Sequence, residues 1–205
     1  MFVLAVLAAS LCSTGCGSER LEGRGMEQSS TATAVPGSMI VDSVVPIGEA
    51  LARFRAEVDE VPSGLRGGTR SPEALAREVV RLLAAADTSA FAGVTIDRAE
   101  FAWLYYETSP LAQPPYELPP ALMWFQLQQG NRTGLFRLLR ELGGRQLVFE
   151  RLSCEPDPVR QAENRLWTGC RVRLAVDGES RELRLFGAML ERGGTVKMLS
   201  YDNDF

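Results

Sequence analysis

Apolar residues recur at helical spacing in the first part of the chain, between residues 46 and 143. The apolar positions after Pro46 lie four, three and four residues apart, which predicts a helix with one buried face. Ser71 followed by Pro72 supplies the capping residue and first-turn proline of a second helix. Asp97 and Glu100 predict the capped start of a third. The predicted buried positions of these helices are Ile47, Leu51, Phe54, Val58, Leu75, Val79, Leu82, Leu83, Phe101, Leu104 and Tyr105.

The proline-rich segment 107–120 separates these helices from the next ones. Its five prolines disfavour regular structure, so an irregular or polyproline-like connection is predicted. Two further helices are expected at about 120–129 and 133–142. Gly143 and Gly144 then provide a helix stop.

From residue 146 the apolar period changes from helical spacing to strict alternation, which predicts strands. Between Leu166 and Val176 every second residue is apolar or small, which predicts one strand with a buried and a solvated face. Asp177-Gly178 and Gly193-Gly194 are hairpin turn signals. We therefore predict an α+β domain in which N-terminal helices (46–143) pack on a curved, four-stranded antiparallel sheet (146–205).

Composition and charge exclude several functional classes. Hydrophobic residues make up 45% and charged residues 23% of the chain, as in globular proteins. A net charge of −4 argues against nucleic acid as a partner, because phosphate binding needs basic surface. The sequence contains no histidine, which excludes a Ser-His-Asp triad and histidine-ligated zinc within it. No motif predicts a metal, a cofactor or a catalytic residue.

An apolar run at residues 2–11 has the length of the hydrophobic region of a signal peptide and is too short for a permanent membrane span. The small residues 13–15 and Cys16 follow it. This stretch resembles a bacterial lipobox, where the leader is cleaved before a cysteine that carries diacylglycerol. The resemblance implies a signal peptide at 1–15 and a lipid on Cys16. A cleaved secretory signal without lipid, or a cytosolic chain, are the alternatives.

Residues 17–38 are rich in Gly, Ser and Thr and have no apolar period, which is typical of a flexible tether. The predicted order is a signal peptide (1–15), a lipid-anchored tether (16–40) and one domain (41–205). This order predicts a location in the bacterial cell envelope, anchored by lipid and facing the periplasm or the exterior. The membrane is then a partner through the N-terminal lipid.

Cys154 and Cys170 lie in or beside consecutive predicted strands. In an exported protein this arrangement predicts a disulfide closing a loop of about 15 residues, worth ~3 kcal/mol. The alternative is a reactive thiol, which needs a cationic or basic neighbour.

Helices followed by a bent antiparallel sheet resemble the NTF2-like (cystatin-like) cone over about residues 46–205. The stretches TIDRAEFAWLYY and NRLWTGCRVRL also resemble those of bacterial lipoproteins without an assigned activity. Members of the cone fold include enzymes with an acid in the cavity as well as binding modules. The resemblance therefore implies either a non-enzymatic module for a partner protein or an apolar small molecule, or a small hydrolase or isomerase using a buried carboxylate.

Several aromatic residues flank the proline-rich segment and could rim a binding groove. The alternative is that they are core residues that hold down a long loop. Trp167 lies on the predicted strand face away from Cys170, so it is either exposed at an interface or covered by that loop. The predicted binding surface comprises Trp103, Tyr105, Tyr116, Trp124 and Trp167.

Overall fold

The computed structural model describes residues 45–205, and in this range all helices precede all strands. This order confirms the predicted α+β class. The predicted signal peptide, Cys16 and the tether lie outside the described residues. The helical elements are α1 (Ile47–Ala56), α2 (Pro72–Ala85), α3 (Phe91–Val94), α4 (Arg98–Glu100), a π-helical turn (Phe101–Tyr105), two 3₁₀ turns (Tyr106–Thr108 and Pro110–Ala112) and α5 (Pro120–Leu142).

The helix start signals in the sequence are confirmed. The Ser71 hydroxyl accepts a hydrogen bond from the Ala74 amide at 3.2 Å. At the start of α4 the Asp97 carboxylate accepts from the Glu100 amide at 2.8 Å, and the Glu100 carboxylate accepts from the Asp97 amide at 2.9 Å. This reciprocal pair is a capping box, which satisfies two backbone donors that have no helical partner.

Helix α5 is continuous over 23 residues, so the expected break into helices 120–129 and 133–142 is wrong. Gly130 and Asn131, which lie between the two predicted helices, have low helix propensity. Asn131 is instead buried and bonds the last strand through its side chain, donating to the Leu199 carbonyl at 3.1 Å and accepting from the Tyr201 amide at 2.9 Å. This tertiary contact offsets the low helix propensity.

The described strands form two antiparallel sheets, one of three strands in the order β1-β4-β5 and one of four in the order β2-β3-β6-β7. The prediction of a single four-stranded sheet is therefore wrong in sheet count. The strands are β1 (Leu147–Ser153), β2 (Val159–Gln161), β3 (Asn164–Trp167), β4 (Arg171–Val176), β5 (Glu179–Leu183), β6 (Ala188–Arg192) and β7 (Thr195–Ser200).

The single strand predicted from Leu166 to Val176 is in fact two strands in different sheets. Gly169 has a φ of +59°, which favours glycine, and the chain passes there from β3 to β4. Alternation continues across this break, because Leu166, Cys170 and Val172 are all buried. The predicted hairpin turns at Asp177-Gly178 and Gly193-Gly194 are confirmed and join β4 to β5 and β6 to β7.

Two groups of buried side chains hold the helices to the sheets. One combines α2, α3 and the C-terminal half of α5 with residues of β4, β6 and β7. The other combines α1, the π-helical turn and the N-terminal half of α5 with Leu166, Leu190 and Leu199. Within residues 45–205, none of the helices combines the length and the apolar character needed to cross a bilayer.

Candidate ligand cleft

A cleft of about 450 Å³ opens between the α3–α4 segment and the middle of α5. Its position follows from the fold, because Asn131 ties α5 to the end of β7 while Thr95 forms an isolated parallel bridge with Met198. The cleft therefore lies where two helical segments diverge over the same strand. Its apolar lining is formed by Phe91, Ala92, Ile96, Trp124, Leu135 and Tyr201.

Tyr201 and Asn131 are buried polar residues of this lining, and Asn131 is bonded to the last strand as described above. The Thr95 hydroxyl donates to the Phe91 carbonyl at 2.8 Å, so the Tyr201 hydroxyl, 3.0 Å from the Thr95 oxygen, acts as the donor in that contact. The Phe91 and Tyr201 rings meet edge to face with centroids 5.9 Å apart. Burial raises the pKa of Tyr201 well above its ordinary value, so the phenol is neutral at physiological pH.

Charged residues occur at the rim of the cleft, and two of them are engaged elsewhere. One oxygen of Asp97 caps α4 and the other lies 3.5 Å from the Arg66 guanidinium. Arg98 pairs with Glu57 and stacks on the Phe54 ring.

Arg132 of α5 is the third charged residue at the rim. It is exposed, and it forms no ion pair with any residue in the described part of the chain. It therefore leaves one positive charge at the edge of an apolar cleft.

A buried ion pair lies outside this cleft. Lys197 of β7 donates to Glu100 at 2.7 Å, and the two side chains are 3% and 0% exposed. Glu100 also accepts from the backbone amides of Arg66 and Asp97, at 2.7 and 2.9 Å. With these three donors the carboxylate oxygens are fully engaged. Sequence reasoning identified Glu100 as a cap but missed Lys197, whose only signal is a cation between Val196 and Met198 in an apolar strand.

The structure does not bring the five predicted binding aromatics together. Trp124 lines the cleft, and Trp103, Tyr105 and Trp124 belong to the packed group around Phe101. This placement favours the core alternative for Trp103 and Tyr105.

The remaining two aromatics lie apart from the cleft. Tyr116 is exposed in the connection before α5. Trp167 lies on β3, half-buried, and donates from its indole nitrogen to Glu191 at 2.8 Å. The binding role of the five residues as one surface stays a prediction.

Most of the cleft residues were not predicted from the sequence as binding residues. Phe91, Ile96 and Leu135 carry no signal beyond ordinary apolar patterning, and Tyr201 appeared only as part of the last strand. They come from segments up to 110 positions apart in the numbering of the chain. No local motif could have joined them.

The predicted disulfide between Cys154 and Cys170 is confirmed. Ser153 and Arg171 pair at the end of β1 and the start of β4, and the two cysteines are the next residues outward from that pair. The bond therefore clamps one end of the three-stranded sheet. In this bonded state neither sulfur is a thiol, so the reactive-thiol alternative does not apply.

Within residues 45–205, no group of three or more Cys, Asp or Glu side chains is arranged to hold a metal ion. Comparison of the chain with protein-family models, with curated proteins and with solved structures found no match.

Proposed function

We propose that the domain is a non-enzymatic module that binds an apolar small molecule in the cleft between α3 and α5. The observation that carries this proposal is the cleft itself, whose volume of about 450 Å³ falls within the range of ligand pockets. Apolar and aromatic side chains form much of its lining, and Tyr201 and Asn131 are buried polar residues there. The neutral Tyr201 hydroxyl donates to Thr95 and can still accept a hydrogen bond. This combination suits a small molecule better than a protein surface.

Arg132 indicates what kind of small molecule the cleft favours. An exposed guanidinium at the rim, without an ion-pair partner in residues 45–205, can meet an acidic group on a ligand whose apolar part enters the cleft. An amphipathic anion therefore fits this site better than a hydrocarbon or a cation.

The enzymatic alternative, a hydrolase or isomerase that uses a buried carboxylate, gains no support from Glu100. A catalytic acid has to reach a substrate, and Glu100 is fully buried, paired with Lys197 and absent from the cleft lining. Asp97 does reach the cleft, but its oxygens cap α4 and face Arg66.

The envelope location and the family resemblance belong to the same proposal. The apolar run at 2–11, the small residues before Cys16 and the Gly/Ser/Thr-rich stretch after it support a lipid anchor with a tether. Helices packed on antiparallel strands are what the domain has in common with the NTF2-like cone, and its division into two sheets is where it departs from it. Intact mass of membrane-extracted protein tests the anchor, which requires a chain beginning at Cys16 with added lipid mass.

The cleft is tested with 1-anilinonaphthalene-8-sulfonate, an amphipathic anion whose fluorescence rises in apolar sites. Ala92 lines the cleft, so Ala92→Phe fills part of it and should weaken probe binding about tenfold or more. The matched control is Val148→Phe, which adds the same ring at an exposed position of β1 and should leave binding unchanged.

A further variant separates the cleft from the exposed face of α5. Phe125→Ser combined with Phe136→Ser removes exposed rings from that face and should leave probe binding intact. Loss of binding in this variant, with retention in Ala92→Phe, would overturn the cleft proposal.

A further inference from the structure

The outer face of α5 carries three large apolar side chains that no described residue covers. Leu122 is 43% exposed, Phe125 57% and Phe136 63%. Isolated apolar residues on a surface are ordinary, but two phenylalanines exposed to this extent on one helix are not.

These three side chains lie on one stripe of the helix. At 100° per residue, Phe125 and Phe136 are within about 20° of each other, and Leu122 lies within about 60° of both. The stripe points away from Gly134, Leu138 and Leu142, which are among the positions that α5 buries against the domain. From Leu122 to Phe136, a distance of 14 residue steps, it extends for about 21 Å along the helix axis.

Positive charge accompanies this stripe. Helix α5 contains three arginines (Arg132, Arg137 and Arg140) and one acid, Glu141, although the net charge of the chain is −4. Arg140 pairs with Glu141 at 2.7 Å, whereas Arg132 and Arg137 form no ion pair within residues 45–205. By helical geometry Arg132 and Arg137 lie on opposite sides of the apolar stripe.

We propose that this face of α5 lies on the surface of an anionic lipid bilayer, with Leu122, Phe125 and Phe136 inserted among the headgroups. An apolar stripe flanked by arginines is the pattern of a helix that lies in the interface plane. Basic residues next to the surface add attraction to anionic lipid. The contact shares Arg132 with the rim of the cleft, but its apolar residues lie outside the cleft lining, and it does not involve any N-terminal lipid.

Charge also selects the bilayer over a second copy of this chain. In a symmetric contact between two α5 helices the same patch meets itself, so arginines would face arginines. An anionic bilayer surface instead neutralises the arginines, while the apolar stripe is removed from contact with water. The occupant that matches both features is the lipid surface.

The test is sedimentation of the full chain with vesicles of phosphatidylcholine containing about one third phosphatidylglycerol, compared with pure phosphatidylcholine. Phe125→Ser combined with Phe136→Ser should reduce binding to the anionic vesicles about tenfold or more, because two exposed rings no longer insert. The matched control is Val148→Ser combined with Val159→Ser, which removes two exposed apolar residues from strands and should leave binding unchanged. All variants keep residues 1–44, so any contribution of the leader is common to them.

A second variant tests the electrostatic part of the proposal. Arg132→Gln combined with Arg137→Gln should weaken binding to anionic vesicles and leave binding to neutral ones unaffected. Raised salt should weaken the binding of the native chain to anionic vesicles in the same way. Unfolding temperatures check that each variant is folded. Equal vesicle binding by the phenylalanine and valine variants overturns the proposal, as does a phenylalanine variant that changes only the oligomeric state in size-exclusion chromatography.

Discussion

Lys197 and Glu100 form a buried ion pair whose two members depend on each other. If one member is removed, the other charge stays buried without water or a counter-ion around it. Removing one member of such a pair lowers the free energy of unfolding by about 3–5 kcal/mol. We expect Lys197→Met to lower the free energy of unfolding by about this amount in urea denaturation. Glu100→Gln combined with Lys197→Met should cost less than Lys197→Met alone, because no uncompensated charge remains.

The exposed pair Arg53–Glu49 is the comparison for this prediction. Its partners lie 2.5 Å apart, but both side chains are more than half exposed, and such pairs contribute little. Arg53→Met should therefore change the free energy of unfolding by less than about 1 kcal/mol. If Lys197→Met and Arg53→Met lowered the free energy of unfolding by similar amounts, burial would not be what makes the Lys197–Glu100 pair important for stability.

The disulfide gives a second prediction at the scale of single residues. Cys154 and Cys170 are 16 positions apart, and closing a loop of this size stabilises a protein by about 3 kcal/mol. Cys154→Ala combined with Cys170→Ala should lose about this much in urea denaturation. Reductant should destabilise the native chain and leave the double variant unaffected, so an equal response of both proteins to reductant would contradict the assignment.

Helix α5 depends on one glycine for its contact with the end of β7. A Cβ at Gly134 would lie 2.0 Å from the Tyr201 carbonyl oxygen and 2.8 Å from its carbonyl carbon, and both are backbone atoms that cannot turn aside. Gly134→Ala should therefore separate α5 from β7 and lower the free energy of unfolding by about 1–3 kcal/mol or more.

Gly130 of the same helix is the matched control, because a Cβ there meets nothing within 4 Å. Alanine is the better helix former, so Gly130→Ala should be neutral or stabilise by up to about 1 kcal/mol. Thermal unfolding of the two variants checks the pair of predictions. Equal melting temperatures would mean that α5 does not approach Tyr201 as closely as the geometry requires.

Elements with local signals could be predicted from the sequence, and those set by distant contacts could not. The starts of α2 and α4 were predictable because Ser71, Asp97 and Glu100 act within three residues of themselves. The continuity of α5 was not, because it depends on bonds from Asn131 to residues about 70 positions away. The turn at Gly169 was missed because alternation of buried residues does not reveal which sheet a strand joins.

At the scale of the whole molecule, the cleft was beyond sequence reasoning for the same reason. Trp124 was predicted as a binding residue, but Phe91, Leu135 and Tyr201 meet it only because α3, α5 and β7 converge. The disulfide could be predicted because its two cysteines flank paired strands. Features with a distinctive residue type, such as cysteine, or with a capping signal within three residues could be predicted, and the cleft, which is assembled from distant segments, could not.

Buried tyrosines link the stability of the whole molecule to alkaline pH. Burial raises the pKa of Tyr201, and it also raises those of Tyr105 and Tyr106, while in the unfolded chain the pKa of tyrosine is about 10. Above that pH the unfolded state loses protons that the folded state retains. The free energy of unfolding should therefore be unaffected by these groups below about pH 10 and should fall as the pH rises further.

Tyr201→Phe measures the contribution of the Tyr201 hydroxyl to the pH dependence of the free energy of unfolding. The variant keeps the ring against Phe91 but has no phenolic proton to lose. Above about pH 10 the free energy of unfolding of the native chain should therefore fall more steeply than that of the variant, by up to about 1.4 kcal/mol per pH unit. Urea denaturation between pH 8 and 11 measures both slopes. The variant loses the bond to Thr95 at every pH, which lowers its stability without changing the slope. Parallel curves for the two proteins would mean that the Tyr201 hydroxyl is not buried at the base of the cleft.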